Sequence, residues 1–143
     1  MRTIWLMGLL GLLLLAGCGG TTILPAGEAA AFADKVDAIT ENLLVALSTH
    51  HHAAYIRDMD TKMKAASSES EFEKVYAAII GKIGPYVSRQ MVQVADQGQY
   101  RIVVYDAKFE KEEHVTVRVV YDKTKEPPLV SGLWFDSPKL RQK

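Results

Sequence analysis

One cysteine is all this chain has. A lone thiol excludes an intrachain disulfide and any zinc site built from cysteines. Charge of one sign is missing too: 17 lysines and arginines face 17 aspartates and glutamates. That balance leaves no basic stripe of the kind nucleic-acid binders set against phosphate, so no nucleic-acid partner is expected. No apolar run reaches the ~20 residues that a membrane-crossing helix needs. A Gly-rich phosphate loop, a nucleophile elbow and a His-Glu-x-x-His pair are absent from the sequence. Nothing in the sequence calls for a cofactor.

What is present begins at the N-terminus. Arg2 supplies a positive charge, and Ile4 to Leu15 is almost wholly apolar. A run of roughly 10–14 apolar residues suits the hydrophobic region of a signal peptide. An uncleaved N-terminal anchor is the alternative; a buried core helix would be weakened by Gly8, Gly11 and Gly17. Leu15-Ala16-Gly17-Cys18 then resembles the lipobox of bacterial-type lipoproteins, cut before a cysteine whose sulfur carries lipid. The resemblance accounts for the lone thiol. It implies a diacylglycerol on Cys18, and two acyl chains hold a protein firmly on a membrane. The expected location is the cell envelope, lipid-anchored outside the cytoplasm. With Gly19 rather than Asp after the cysteine, a cell with two membranes would place it on the periplasmic face of the outer one. The expected organisation is a signal peptide at 1–17, a tether at 18–28 and one domain at 29–138.

Phe32, Val36, Ile39, Leu43, Leu44 and Leu47 recur at three- and four-residue steps, which predicts one helix from about Ala26 to Ser48. A second helix is expected to carry Tyr55, Ile56, Met59 and Met63. Ser68-Glu69-Ser70-Glu71 is a capping-box pattern opening a third, with Phe72, Val75, Tyr76, Ile79 and Ile80 on one face. After Pro85 the period changes to two. Four strands are predicted at Tyr86–Asp96, Gln99–Glu110, His114–Asp122 and Leu129–Asp136. Their connections are too short for parallel crossovers, so the strands form an antiparallel meander. The last one reads as apolar on both faces, Leu133 and Phe135 against Val130 and Trp134. The fold class is α+β.

Three helices followed by four long antiparallel strands resemble the nuclear transport factor 2-like superfamily, a cone of helices on a curved sheet. Met59-Asp60-Thr61-Lys62-Met63-Lys64 is similar to the second-helix motif of a group of domains of unknown function within it. Phe109-Glu110-Lys111, the stretch Val117 to Asp122 and the stretch Val130 to Phe135 resemble its strand motifs. The resemblance covers Ala29 to Pro138. Two departures are His50-His51-His52 in the first interhelix turn and Lys125-Glu126-Pro127-Pro128 before the last strand. The resemblance implies a conical cavity, which some relatives use for catalysis on steroid-like or small polar substrates.

Tyr55, Met59, Tyr76, Phe109 and Trp134 are the side chains that could line the mouth of such a cavity; alternatively they fill the core. Tyr55, Asp58 and Tyr76 are the candidate acids or bases. His50, His51 and His52 are a weak candidate Zn²⁺ or Ni²⁺ site, since neighbours one or two apart on a helix diverge; polar turn residues are the alternative. Glu110, Glu112 and Glu113 beside His114 read as wet hairpin charges. Three functions stay open: non-enzymatic binding of a small apolar ligand or a protein partner, an isomerase- or dehydratase-like enzyme, and a homodimer packed through the sheet face bearing Thr116, Arg118 and Trp134.

Overall fold

A computed structural model describes residues 20–143. Cys18 and the flanking Leu15, Ala16 and Gly17 lie outside the described residues. The described chain is α+β, with one five-stranded antiparallel sheet and six helical segments.

The long helix expected from Ala26 is two. Helices α1 (Ala26–Lys35) and α2 (Asp37–Ser48) meet at Val36, whose backbone leaves helical geometry at φ −102° and ψ 6°. Thr40 lies one turn on, and its hydroxyl donates to the Val36 carbonyl at 2.9 Å, where the Thr40 amide also donates at 2.9 Å. Such back-bonding by a threonine draws a carbonyl off the helix axis and bends the helix. Val36 is fully buried, so the apolar repeat runs through the break unchanged.

The second expected helix is also two short ones, α3 (His52–Tyr55) and α4 (Thr61–Ala66). Between them the chain is extended at Met59, which bridges to Val130 in parallel. The Val130 amide donates to the Asp58 carbonyl at 2.8 Å, and the Asp60 amide donates to the Val130 carbonyl at 2.9 Å. Helix α5 (Glu69–Ile83) starts where its capping residues require, the Ser68 hydroxyl accepting from the Glu71 amide at 3.3 Å. It stops at Gly84, at φ +76°, a left-handed conformation that glycine adopts without strain. There the Lys111 amide donates to the Ile83 carbonyl at 2.8 Å, which ties the helix end to the turn after the third strand.

Strands β2 (Tyr86–Gln97), β3 (Tyr100–Phe109), β4 (Glu112–Asp122) and β5 (Leu129–Asp136) form the expected meander. A fifth strand precedes them. Within the stretch expected to be a tether, β1 (Thr22–Ile23) pairs with Asp96 and Ala95 at the edge of β2. A last turn of helix, α6 (Pro138–Arg141), follows β5.

One core lies between the helices and the sheet face carrying Val94, Val103, Tyr105, Val115, Val117, Val119 and Tyr121. In β5 a register shift leaves Ser131 without a partner: Gly132 opposes Val120 and Val130 opposes Tyr121. Two residues facing one is a bulge, and it moves everything beyond it to the other face. Val130 therefore joins Leu133 and Phe135 on the core side, contrary to the strict alternation expected. The outer face of β5 is left with Gly132 and the half-exposed Trp134.

Candidate functional site

Two surface features stand out, one at each edge of the sheet. At the β5 edge an apolar groove of about 340 Å³ separates β5 from α4 and α5. Its walls include Tyr55, Met63, Val75, Ile79, Leu133 and Phe135. Val75 and Ile79 stand beside the fully buried stripe of α5, one face further round, so the helix bears both core and groove residues. Asp60, outside the groove lining, joins two of its walls. Its carboxylate accepts from the Met63 amide at 2.8 Å, capping α4, and from the Ser131 hydroxyl at 2.6 Å. One side chain thus binds α4 to β5 at the bulge. Burial pushes the Tyr55 phenol up to about 12, so it lines the groove as a neutral hydroxyl.

At the β2 edge an open cleft of about 390 Å³ is lined by Asp34, Asp37, Glu41, Tyr86, Arg89 and Tyr105. Arg89 spans it. The guanidinium bonds to the carboxylates of Asp37 and Glu41 and donates to the Tyr86 hydroxyl at 2.7 Å, while lying 5.4 Å over the Tyr105 ring. Burial works against its charge, but the hydrogen bonds to Glu41 and Tyr86 outweigh that and hold it above its usual range. Behind it three hydroxyls meet in the core. Thr40 bonds to the Tyr121 hydroxyl and, at 3.2 Å, to that of Tyr105. Because its own proton goes to the Val36 carbonyl, Thr40 accepts from both phenols. Burial raises the pKa of both tyrosines, so at neutral pH they are hydrogen-bond donors and not bases.

The residues singled out from sequence scatter. Tyr55 and Trp134 border the groove. Met59 and Phe109 are core, Phe109 meeting Tyr86 and Phe135 edge-on at 5.8 and 6.2 Å. Tyr76 is not among the groove walls; its ring packs at a tilt against His50, with centroids 4.3 Å apart. Asp58 is held by Arg57 at 2.8 Å, and the Phe72 ring packs against both Tyr55 and Tyr76, at 4.9 and 6.5 Å between centroids. The three histidines part company. His50, at φ +57°, bonds to Glu73; His51 precedes α3; His52 donates to the Ser67 carbonyl at 2.6 Å. Among the described residues no three His, Cys, Asp or Glu side chains come close enough to share a metal ion. His114 pairs with Asp106 at 3.0 Å instead of with Glu112 or Glu113.

Met63, Val75, Ile79, Leu133 and Phe135 were legible as apolar positions but not as groove walls. Arg89, Thr40 and Tyr105 carried no signal, because a polar residue at a core position looks like an irregular repeat until its partner is known.

The class is thus a small α+β domain with an apolar groove at one sheet edge and a clamped arginine at the other. Residues 41–126 match the family model for a protein of unknown function, DUF3887, and the chain belongs to that family. The match ends before β5, so the strand forming one groove wall lies beyond it. No curated protein and no solved structure matches the chain.

Proposed function

We propose that this protein is a lipid-anchored envelope protein whose domain binds a small apolar ligand in the groove between α4, α5 and β5. One observation carries the binding role: the groove is walled by Met63, Val75, Ile79, Leu133 and Phe135, with the neutral Tyr55 hydroxyl as a polar handle. Sites for small molecules are concave and mostly apolar, with a few polar groups that fix orientation, and about 300 Å³ is their usual lower size. An apolar segment of a protein partner is the other occupant such walls would take. Helices followed by an antiparallel meander favour a nuclear transport factor 2-like fold, although five strands and six helical segments differ from the simplest form of that cone.

The address rests on Leu15-Ala16-Gly17-Cys18 after a short apolar run. It is tested by Cys18→Ser in cells: the lipoprotein reading expects loss of the membrane-bound form. An unchanged size and membrane fraction would refute it. The binding role is tested on residues 20–143 with anilinonaphthalene sulfonate as probe. Enhanced fluorescence that Ile79→Asp abolishes supports the groove; equal enhancement in both forms removes it.

A second reading, an enzyme of the isomerase or dehydratase kind, draws on the cleft at Arg89. There the Arg89 cation and the Tyr86 hydroxyl line an open cleft beside Glu41, a donor set able to polarise a small oxyanion. It requires a substrate oxygen to displace Glu41 or Asp37 from Arg89. The dimer packed through the outer sheet face, with Thr116, Arg118 and Trp134 at its centre, is decided by light scattering on the same soluble form.

A further inference from the structure

Strand β1 has a consequence for how such a protein meets the membrane. Thr22 opposes Asp96 and Ile23 opposes Ala95, with the strands antiparallel. Going back along the chain, Gly20 therefore lies level with the turn at Gly98 between β2 and β3. Cys18 is two residues earlier, and two residues span at most about 7 Å. The headgroup layer of a bilayer is about 5–8 Å deep on each side. The short reach leaves little slack between a lipidated Cys18 and this end of the sheet.

Resting on the reading of Cys18 as the lipidated residue, we propose that the domain docks end-on against the bilayer surface. The contacting surface is the β2–β3 turn around Gly98 and the β4–β5 loop from Lys123 to Glu126, side by side because Gln97 opposes Tyr100 and Tyr100 opposes Asp122. The chemistry of this end suits a headgroup layer. The acids of these loops are each paired: Asp96 by Arg101 and Lys123 at 2.6 and 3.1 Å, Asp122 by Thr124 and Gln99, and Glu126 by Lys35 at 2.7 Å, while Glu28 on α1 stands near Arg101 and Lys123. What faces outward is Gln97, Gly98, Gln99, Thr124 and the exposed Lys125, with the partly exposed Tyr100 ring beside them. Lys125, the one cation of these loops without an acidic partner, and the amphipathic Tyr100 ring suit an anionic interface. The end is also stiff. The Lys123 amide donates to the Gln99 carbonyl at 3.0 Å, which locks the two loops together. Counted along β5 at ~3.3 Å per residue, Leu133 and Phe135 stand roughly 13–20 Å above Leu129. The groove therefore opens sideways above the lipid and not into it.

The experiment uses the full chain made in a bacterial host and reconstituted into phosphatidylcholine–phosphatidylglycerol vesicles. A lipidated Cys18 has no free thiol, so a cysteine placed elsewhere takes an environment-sensitive fluorophore alone. Gln97→Cys and Lys125→Cys report the proposed contact, and Glu113→Cys the opposite end. Lipids carrying a spin label on the headgroup should quench the first two several-fold more strongly than the third. Equal or negligible quenching at all three in vesicle-bound, lipidated protein overturns the docking while leaving the anchor in place. A thiol that reacts at Cys18 in the unsubstituted chain, with protein that floats free of vesicles, overturns both.

Discussion

The indole of Trp134 occupies the space where a side chain at position 132 would stand, so Gly132 makes room for it. A β-carbon built at Gly132 would come within 2.5 Å of two carbons of that ring and 3.4 Å of Val120. The Arg118 guanidinium lies over the same ring, 5.3 Å from its centroid. A glycine two residues from an aromatic on an edge strand thus leaves room for the ring, which the cation also contacts.

Gly132→Ala is expected to unseat that ring. The backbone needs no unusual conformation here, so the cost is the lost ring packing and cation contact, about 1 kcal/mol. Trp134 is the one tryptophan of residues 20–143, so its emission should shift red as the urea midpoint falls. An unmoved emission maximum would show that the ring does not rest on Gly132 in solution.

Thr40→Val removes the acceptor shared by the Tyr105 and Tyr121 hydroxyls. A buried hydroxyl left without a partner costs about 1–3 kcal/mol. Adding Tyr121→Phe should then recover part of the loss, because the unsatisfied group goes with its partner. Chemical denaturation of the two single variants and the double one measures the coupling, and strict additivity would contradict the shared bond.

Asp60→Ala should cost about 1 kcal/mol for the missing cap of α4, with the Ser131 bond lost in addition. Since Asp60 also ties α4 to the bulge in β5, the groove should loosen, and anilinonaphthalene sulfonate should bind more weakly. Loss of stability with unchanged probe affinity would separate the cap from the groove wall.

Alkali should destabilise the domain through Tyr55. Its phenol is raised to about 12 by burial, against an ordinary value of about 10. A raised folded value means the stability is intact below about pH 10 and lost as the pH climbs through about 12. In Tyr55→Phe the fall across that window should be shallower. It should not vanish, because burial also raises Tyr105 and Tyr121. Urea unfolding at a series of alkaline pH values checks the slope.

Local signals were read well. Ser68 and Glu71 mark the start of α5 because the cap is made by residues three apart, which needs no knowledge of the rest of the chain. The strands from Tyr86 to Asp136 followed from alternation and from connections too short for a crossover. Met59 was misread as helical for a related reason. Its apolar spacing fits a helix, but its partner is Val130, far along the chain, and only that pairing makes the segment extended. Of the site, Tyr55 and Trp134 are legible in the sequence as aromatics able to line a cavity mouth, and both border the groove. The groove was not, because its walls come from α4, α5 and β5 at once.

By itself the amino-acid order determined the α+β class, the antiparallel meander, the cap of the helix after Ser68 and a lone thiol placed after a short apolar run. Those depend on the spacing of neighbours and on the stereochemistry of short turns. The tertiary structure alone decided that Thr22–Ile23 joins the sheet, that a bulge at Ser131 returns Val130 to the core, and that Thr40 answers two tyrosines. Each of these is a contact between residues distant along the chain, whose energy exists only once packing has brought both partners out of water.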